Sequence, residues 1–195
     1  MGVCPRNRHP TIDYFLADPL FVPKEDRFQF SEKVFDLPCW ACYEPPHYAP
    51  EVSILPALAG RPFTFGCVNR IEKMSDRVIT LWGQILAKVP NAQLLIKGRA
   101  LDDAALKDNL AARLKSAGIP LRQFQLLGSS PHSEHLNIYH QFDVALDPYP
   151  QTGGVSTAEA LWMGLPVVTL LGPTQPSRQS ASFLNVLKMR NWIAD

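Results

Sequence analysis

The sequence predicts an α/β fold, a Rossmann-like parallel sheet with helices on both faces that is preceded by a proline-rich extended arm. From Pro62 onward, short apolar segments alternate with segments of helical period. Each apolar segment is uniform enough to be covered on both faces, as strands of parallel sheets are. In residues 1–60, prolines interrupt any sustained period. We therefore divide the chain into a connector arm, residues 1–60, and a Rossmann-like domain, residues 61–195.

The arm should be extended with one short helix. We predict that helix over residues 31–37, with Ser31 as its cap and Pro38 ending it. The many aromatic side chains of the arm are unusual for a solvated linker, so they should pack on the following domain or on a partner. Cys39 and Cys42 form a C-x-x-C, but no second pair lies at zinc-site spacing, and no metal site is predicted.

The first half of the domain follows from apolar period, helix caps and stop signals. Ser75 caps the first helix, Gly118 closes the second, and Ser130-Pro131 reads as a cap followed by a proline at the first helical position. In order, the predicted elements are a strand at 63–68, a helix from Ser75 to about Pro90, a strand at 93–96, a helix through Leu106, Leu110 and Leu114, and a strand at 124–127.

The second half centres on the stretch 143–172, in which strand, loop, helix and strand follow one another directly. A buried strand at 144–146 leads into a loop with a Gly-Gly pair, and a helix opens near 155–157. Gly164 stops that helix, and a fifth strand follows at 167–171. A last helix is expected over 177–187, and Trp192-Ile193 begins a sixth strand.

The loop-to-helix junction suits a phosphate. Gly153, Gly154, Ser156 and Thr157 are small enough for a ligand to approach the backbone, and the first N–H groups of the helix point outward. Glu159, in the first turn, could accept hydrogen bonds from ribose hydroxyls. The alternative is that the glycines only make the turn and that a hydroxyl only caps the helix.

In such sheets, ligands bind beyond the carboxyl ends of the strands, where the strand order reverses. With the usual order, that crevice lies between the first and fourth strands of the domain. Three loops should converge there, at residues 69–73, 128–135 and 148–157.

The charge and hydropathy of the sequence limit the classes of partner that the chain is expected to bind. The net charge of +1 argues against nucleic-acid or membrane-surface binding, which usually needs a basic excess. No apolar run is long enough to span a bilayer, and the N-terminus has no signal-peptide hydrophobic region, so a cytoplasmic location is expected. The partners should be small or neutral molecules.

Four motifs recur in order along the domain: N-x-x-x-K from Asn69, P-x-x-x-H from Pro131, G-G-x-S-T from Gly153, and E-A-L-W-M-G-x-P-V-V-T from Glu159. With them the chain resembles the C-terminal half of the protein O-GlcNAc transferase family, which includes the SPINDLY-type proteins. The resemblance extends from about Ile12 to the chain end. It implies a GT-B glycosyltransferase, in which two Rossmann-like domains hold a nucleotide sugar between them.

The resemblance also implies roles for individual residues. Lys73 would be catalytic, contacting the diphosphate and stabilising the UDP leaving group. A solvated lysine and a surface histidine remain the alternative readings of Lys73 and His135. The donor-binding residues would be Asn69 and Arg70 beside Lys73, Ser130 at the base edge, His132, His135 against the uridine, Gly153, Gly154, Val155, Ser156 and Thr157 around the pyrophosphate, and Glu159 at the ribose.

The implied function is the donor-binding domain of an inverting, metal-independent enzyme that transfers GlcNAc from UDP-GlcNAc to Ser or Thr of proteins. No D-x-D metal motif is present, and no cofactor beyond the nucleotide sugar is expected. The other partners would be an acceptor protein or peptide, an absent N-terminal GT-B domain and possible tetratricopeptide repeats, so the isolated, C-terminally truncated chain should be inactive. A non-catalytic nucleotide-sugar module, or an enzyme using another donor such as GDP-fucose, stays open, whereas an NAD oxidoreductase would need a G-x-G-x-x-G that is missing.

Overall fold

The computed structural model describes residues 11–194, so residues 1–10 of the predicted arm and Asp195 lie outside it. In the arm, strands β1 (Tyr14–Ala17) and β2 (Lys33–Asp36) form a two-stranded parallel sheet. The helix predicted over 31–37 is therefore wrong. Val34 packs inward beside Phe15 and Phe30, while Phe35 points to solvent, and this alternation of period two favours a strand.

The domain is built on a six-stranded parallel sheet with the strand order β5-β4-β3-β6-β7-β8. From β3 the chain adds β4 and β5 on one side of the sheet, then crosses back and adds β6, β7 and β8 on the other side. This arrangement confirms the predicted Rossmann-like fold and places the reversal between β3 and β6. The strands are β3 (Thr64–Val68), β4 (Gln93–Lys97), β5 (Phe124–Leu127), β6 (Val144–Leu146), β7 (Val167–Leu170) and β8 (Ile193–Ala194).

Helices cross over between these strands. Ser75 caps the first as predicted, but Pro131 is the N-cap of the third, so the Ser130 cap was placed one residue early. The backbone of Pro131 is still extended, with ψ at 149°. The helices are α1 (Asp76–Lys88), α2 (Ala104–Ser116), α3 (His132–Asn137), α4 (Val155–Trp162) and α5 (Gln179–Val186). In the part of the chain that the structure describes, no helix is long and apolar enough to cross a membrane.

Apolar side chains cover both faces of the sheet. One core lies under α1 and α2 and includes Trp82 and Ile96, and the other lies under α3 and α4 and includes Leu136 and Tyr139. Gly66 in β3 is needed for the second core, because a Cβ at this position would overlap the ring of Phe142. The close approach of that ring holds the segment after α3 against the centre of the sheet.

The arm packs on the domain through residues 39–48, which we call the connector strap. Trp40 donates from Nε1 to the carbonyl of Gln179 at 3.1 Å, and its ring lies 5.7 Å from that of Phe183. Its backbone N–H is accepted by the buried carboxylate of Asp18 at 2.7 Å. The aromatic residues of this part of the arm therefore pack on the domain that follows them.

The cap of α1 also joins two loops, and this gives a first prediction. The Ser75 hydroxyl accepts from the N–H of Val78 at 3.3 Å and donates to the carbonyl of Tyr149 at 2.7 Å. We expect Ser75→Ala to lower the free energy of unfolding by about 1 kcal/mol, measured by urea denaturation. Thr80→Ala is the control on the same helix, because the exposed Thr80 hydroxyl only bonds back to a helix carbonyl. Equal losses in the two variants would contradict the capping role.

Candidate functional site

The point of strand reversal brings three loops together, as predicted. β3 and β6 are adjacent, with Phe65 opposite Val144. The loop after β3 contacts the loop after β6, and α3, which follows β5, contacts α4. The crevice thus lies at the carboxyl ends of the strands, where Rossmann-like sheets bind their ligands.

Asp147, directly after β6, holds the loop at residues 148–157, which carries the Gly-Gly pair and which we call the glycine loop. Asp147 is 8% exposed and accepts hydrogen bonds from the N–H of Gly153 and from the hydroxyl of Thr169, both at 2.7 Å. Burial raises the pKa of Asp147 to about 6, although neighbouring donors and the charge of Lys73 oppose this rise. The loop is therefore held by a carboxyl group that titrates in an unusually high range.

The loop is pinned at further points. Lys73 donates from Nζ to the carbonyl of Thr152 at 2.9 Å, and the Ser180 hydroxyl donates to the carbonyl of Gly153 at 3.1 Å. A Cβ at Gly153 would overlap the Thr157 hydroxyl, so only glycine fits here without movement. The backbone of the junction is consequently ordered by its own contacts, before any ligand binds.

Lys73 is not a free surface lysine. Its side chain is half-buried, and this burial lowers its pKa, an effect that the nearby carboxylate of Asp147 opposes. One of its three N–H donors is used on Thr152, which leaves the others for a ligand. Asn69 lies beside it and donates to the Ser156 hydroxyl at 2.9 Å, whereas Arg70 is exposed.

At the start of α4, some of the groups predicted to bind phosphate are bonded within the protein, and others are open to a ligand. The Thr157 hydroxyl is buried and pairs with that of Ser180 at 2.7 Å, and the N–H of Gly153 is taken by Asp147. Val155 and Ser156 begin the helix, so their N–H groups have no intrahelical acceptor and face outward. The alternative that a hydroxyl caps the helix is wrong, because Gly154 is the N-cap and no side chain caps it. The N–H groups of Val155 and Ser156 and the Ser156 side chain are therefore the groups of this junction that a phosphate could reach.

Glu159 lies at the centre of a polar cluster with both histidines of α3. It accepts from His132 Nε2 at 3.0 Å and from the Tyr139 hydroxyl at 3.0 Å, and His135 Nε2 lies 3.4 Å from its Oε2. Burial favours the protonated acid, but hydrogen bonds from the two histidines and Tyr139, with the charge of His135, hold the pKa of Glu159 below its usual value. It was predicted in the first turn of α4, but it is the fifth residue of that helix and is 4% exposed.

The histidine rings are arranged for stacking. His132 and His135 lie parallel, with an interplanar angle of 15° and ring centroids 5.7 Å apart. Since His135 is half-buried and bonded to Glu159, it is not the solvated surface histidine of the alternative reading. Two buried hydroxyl oxygens, those of Ser130 and Tyr43, have no hydrogen-bond partner among residues 11–194.

Sequence reasoning missed several residues of the site. Asp147 has a recognisable signal, since an acidic residue directly after a buried strand lies at the binding edge of a parallel sheet. Tyr139 could be expected on the buried side of the segment after α3. Trp40, Tyr43 and Tyr48 had no such signal, because they reach the site from the connector strap, about a hundred residues away along the chain. Among the described residues, no cluster of three or more His, Cys, Asp and Glu side chains could hold a metal ion.

Comparison with known proteins identifies the family. The model of glycosyl transferase family 41 matches residues 57–195, which is more than half of the chain. The chain belongs to glycosyl transferase family 41. The match covers all three loops of the crevice and confirms the resemblance drawn from the four sequence motifs.

Individual members of family 41 and related structures support this. An Arabidopsis thaliana protein named "Probable UDP-N-acetylglucosamine--peptide N-acetylglucosaminyltransferase SPINDLY" is 30% identical over 95% of this chain. A solved mutant O-GlcNAc transferase of Thermobaculum terrenum is 30% identical over 93% of this chain, with a TM-score of 0.84. The pneumococcal O-GlcNAc transferase GtfA, solved with UDP and GlcNAc, is 18% identical over 83% of this chain, with a TM-score of 0.52, and shares the fold alone.

The matched family members are longer than this chain. It spans 20% of the length of the Arabidopsis relative and 34% of the Thermobaculum chain; for GtfA, which shares the fold alone, the share is 30%. The chain has the fold of the Rossmann-like half of a GT-B glycosyltransferase, preceded by an arm that packs on it.

Proposed function

We propose that this chain is the donor-binding domain of a protein O-linked N-acetylglucosaminyltransferase, which transfers GlcNAc from UDP-GlcNAc to Ser or Thr of proteins. The observation that carries the proposal is the convergence of Lys73, the N-terminus of α4 and the histidine cluster at one crevice. The family membership and the names of the relatives support the same reaction.

The phosphate end of the crevice suits a leaving diphosphate. Transfer with inversion builds negative charge on the departing UDP, and Lys73 with the outward N–H groups of Val155 and Ser156 can stabilise that charge. The loop that presents these groups is already pinned by Asp147 and Ser180, so little reorganisation is needed when charge develops. On this proposal the reaction needs no metal and no cofactor beyond the nucleotide sugar.

The nucleoside end lies toward α3. His135 offers a ring for packing on the base, and the nearby Ser130 hydroxyl is buried and has no hydrogen-bond partner among residues 11–194. Glu159 accepts hydrogen bonds from protein donors at both oxygens, so ribose hydroxyls would share these oxygens with His132 and Tyr139. Sharing is possible because each carboxylate oxygen has more than one acceptor site and the neighbouring His132 side chain is 45% exposed.

Acceptor binding is proposed to need the rest of a longer protein. In GT-B enzymes the acceptor and donor are held between two domains, and transfer requires both to be positioned together. The short length of this chain against its relatives agrees with such a division. We therefore propose the absent N-terminal domain as a partner and expect the chain alone to bind a donor without transferring it.

Calorimetry with the purified chain tests the donor assignment. We expect UDP to bind with modest affinity, because the domain that would close the crevice is not part of this chain. GDP should bind more weakly than UDP, and NAD should not bind. Inorganic pyrophosphate, titrated in parallel, measures the phosphate end alone.

The outcomes separate the candidates. NAD binding without a response to UDP would contradict a glycosyltransferase site. Preference for GDP over UDP would move the donor to a GDP sugar, such as GDP-fucose, which remains the second candidate donor.

A further inference from the structure

Both ring nitrogens of His132 are hydrogen-bonded. Nε2 lies 3.0 Å from Glu159 Oε1, and Nδ1 lies 2.9 Å from the hydroxyl of Tyr48. A carboxylate only accepts, so Nε2 must carry the proton that it shares with Glu159. In the neutral ring, Nδ1 is then an acceptor, and the Tyr48 hydroxyl donates to it.

These two contacts determine which part of His132 a ligand can meet. With both nitrogens occupied in the plane of the ring and the His135 ring stacked beside one face, a ligand can meet only the opposite face and the outer carbon edge of the imidazole. The ring lies parallel to that of His135, and Tyr48 meets it edge-on, at an interplanar angle of 84°. The His132 ring is thus held in a fixed orientation, parallel to the ring of His135.

Tyr48 comes from the connector strap and not from the sheet. It is 46% exposed, and it is separated from His132 by 84 residues along the chain. The strap is anchored independently by Trp40, whose ring reaches within 3.7 Å of the Cβ position at Gly154. The strap therefore runs beside both ends of the crevice, with Trp40 at the glycine junction and Tyr48 at the histidines.

We propose that Tyr48 is a positioning residue for nucleoside diphosphate binding, which holds the His132 ring in the Nε2–H tautomer and presents its face to the nucleoside. This inference rests on the proposed function. Tyr48 acts through His132 and does not contact the phosphates, which bind at Lys73 and α4. Its effect should be confined to ligands that carry a nucleoside.

A double-mutant cycle tests this, with UDP, GDP and pyrophosphate as calorimetric probes. Tyr48→Phe should weaken the better-binding nucleoside diphosphate by about threefold to tenfold, the effect of one lost hydrogen bond. Pyrophosphate binding should not change. In the His132→Ala background, Tyr48→Phe should have no further effect, because the residue through which it acts is gone. Tyr14→Phe, a half-exposed tyrosine in β1, is the matched control.

A spectroscopic signature completes the test. In ¹⁵N spectra recorded at mildly alkaline pH, the His132 signals, assigned by comparison with His132→Ala, should show a protonated Nε2 and a hydrogen-bonded, unprotonated Nδ1. The Nδ1 signal should move in Tyr48→Phe.

The positioning role would be overturned by a proton on Nδ1, by an equal loss of pyrophosphate binding, or by an undiminished effect of Tyr48→Phe in the His132→Ala background. Parent-like UDP and GDP binding by Tyr48→Phe would refute it too and leave the donor-binding function standing. If the parent chain binds neither UDP nor GDP, both the positioning role of Tyr48 and the donor-binding function are refuted.

Discussion

Lys73→Ala should weaken UDP binding by about one to two decades. If Lys73 contacts the diphosphate as proposed, the variant removes a charge-assisted hydrogen bond that contributes roughly 1.5 to 3 kcal/mol. Pyrophosphate binding should fall by a similar factor, because the contact is to phosphate and not to the nucleoside. Calorimetric titration with both ligands measures this.

The fold should survive the substitution with a small loss. Lys73 is half-buried and donates to the carbonyl of Thr152, so the variant leaves that carbonyl short of one donor. We expect a decrease of about 1 kcal/mol in the free energy of unfolding. Lys88→Ala, at the exposed end of α1, is the control for loss of one positive charge. If folded Lys73→Ala binds UDP as the parent does, the leaving-group role must be withdrawn.

Asp147→Asn should change how stability depends on pH. The pKa of Asp147 rises from its usual 3.8 to about 6 on folding, so the folded chain holds a proton that the unfolded chain has already lost. The contribution of Asp147 to the free energy of unfolding of the parent is therefore fully present below about pH 4. It is lost as the pH rises to about 6. The shift corresponds to about 3 kcal/mol.

The comparison of parent and variant isolates this contribution. The neutral amide of Asn does not titrate, so from about pH 4 to pH 7 the variant should gain about 3 kcal/mol relative to the parent. The carboxylate of Glu159, whose pKa is lowered, has the opposite pH dependence, but it is present in both proteins and cancels. Asp108→Asn, on the exposed surface of α2, controls for net charge. A constant difference between parent and Asp147→Asn across this range would show that Asp147 does not titrate there.

Sequence reasoning succeeded where the local pattern and the packing agree. The strand at residues 124–127 was predicted to the residue, because a short apolar run is bounded by a turn on each side. The segment around Val34 failed, because its apolar spacing fits a helical turn as well as a strand, and pairing with β1 decides between them. Local signals are weakest where the partner is distant along the chain.

The candidate site divides in the same way. The Gly-Gly junction and Lys73 could be placed because both follow strands that end at one edge of the sheet. Which groups face a ligand could not be predicted, since the Thr157 hydroxyl and the Gly153 N–H turn inward to Ser180 and Asp147. Those orientations depend on packing between loops that sequence spacing does not encode.

The connector strap bears on where this protein can be cut. A fragment starting at Ala57, where the family match begins, would keep every strand of the six-stranded sheet and all the residues named in the four motifs. It would also uncover Phe183 and the backbone of Gln179, and leave the imidazole of His132 without its Tyr48 partner. The segment that matches the family, residues 57–195, is thus shorter than the segment needed to form the whole crevice, which includes the connector strap.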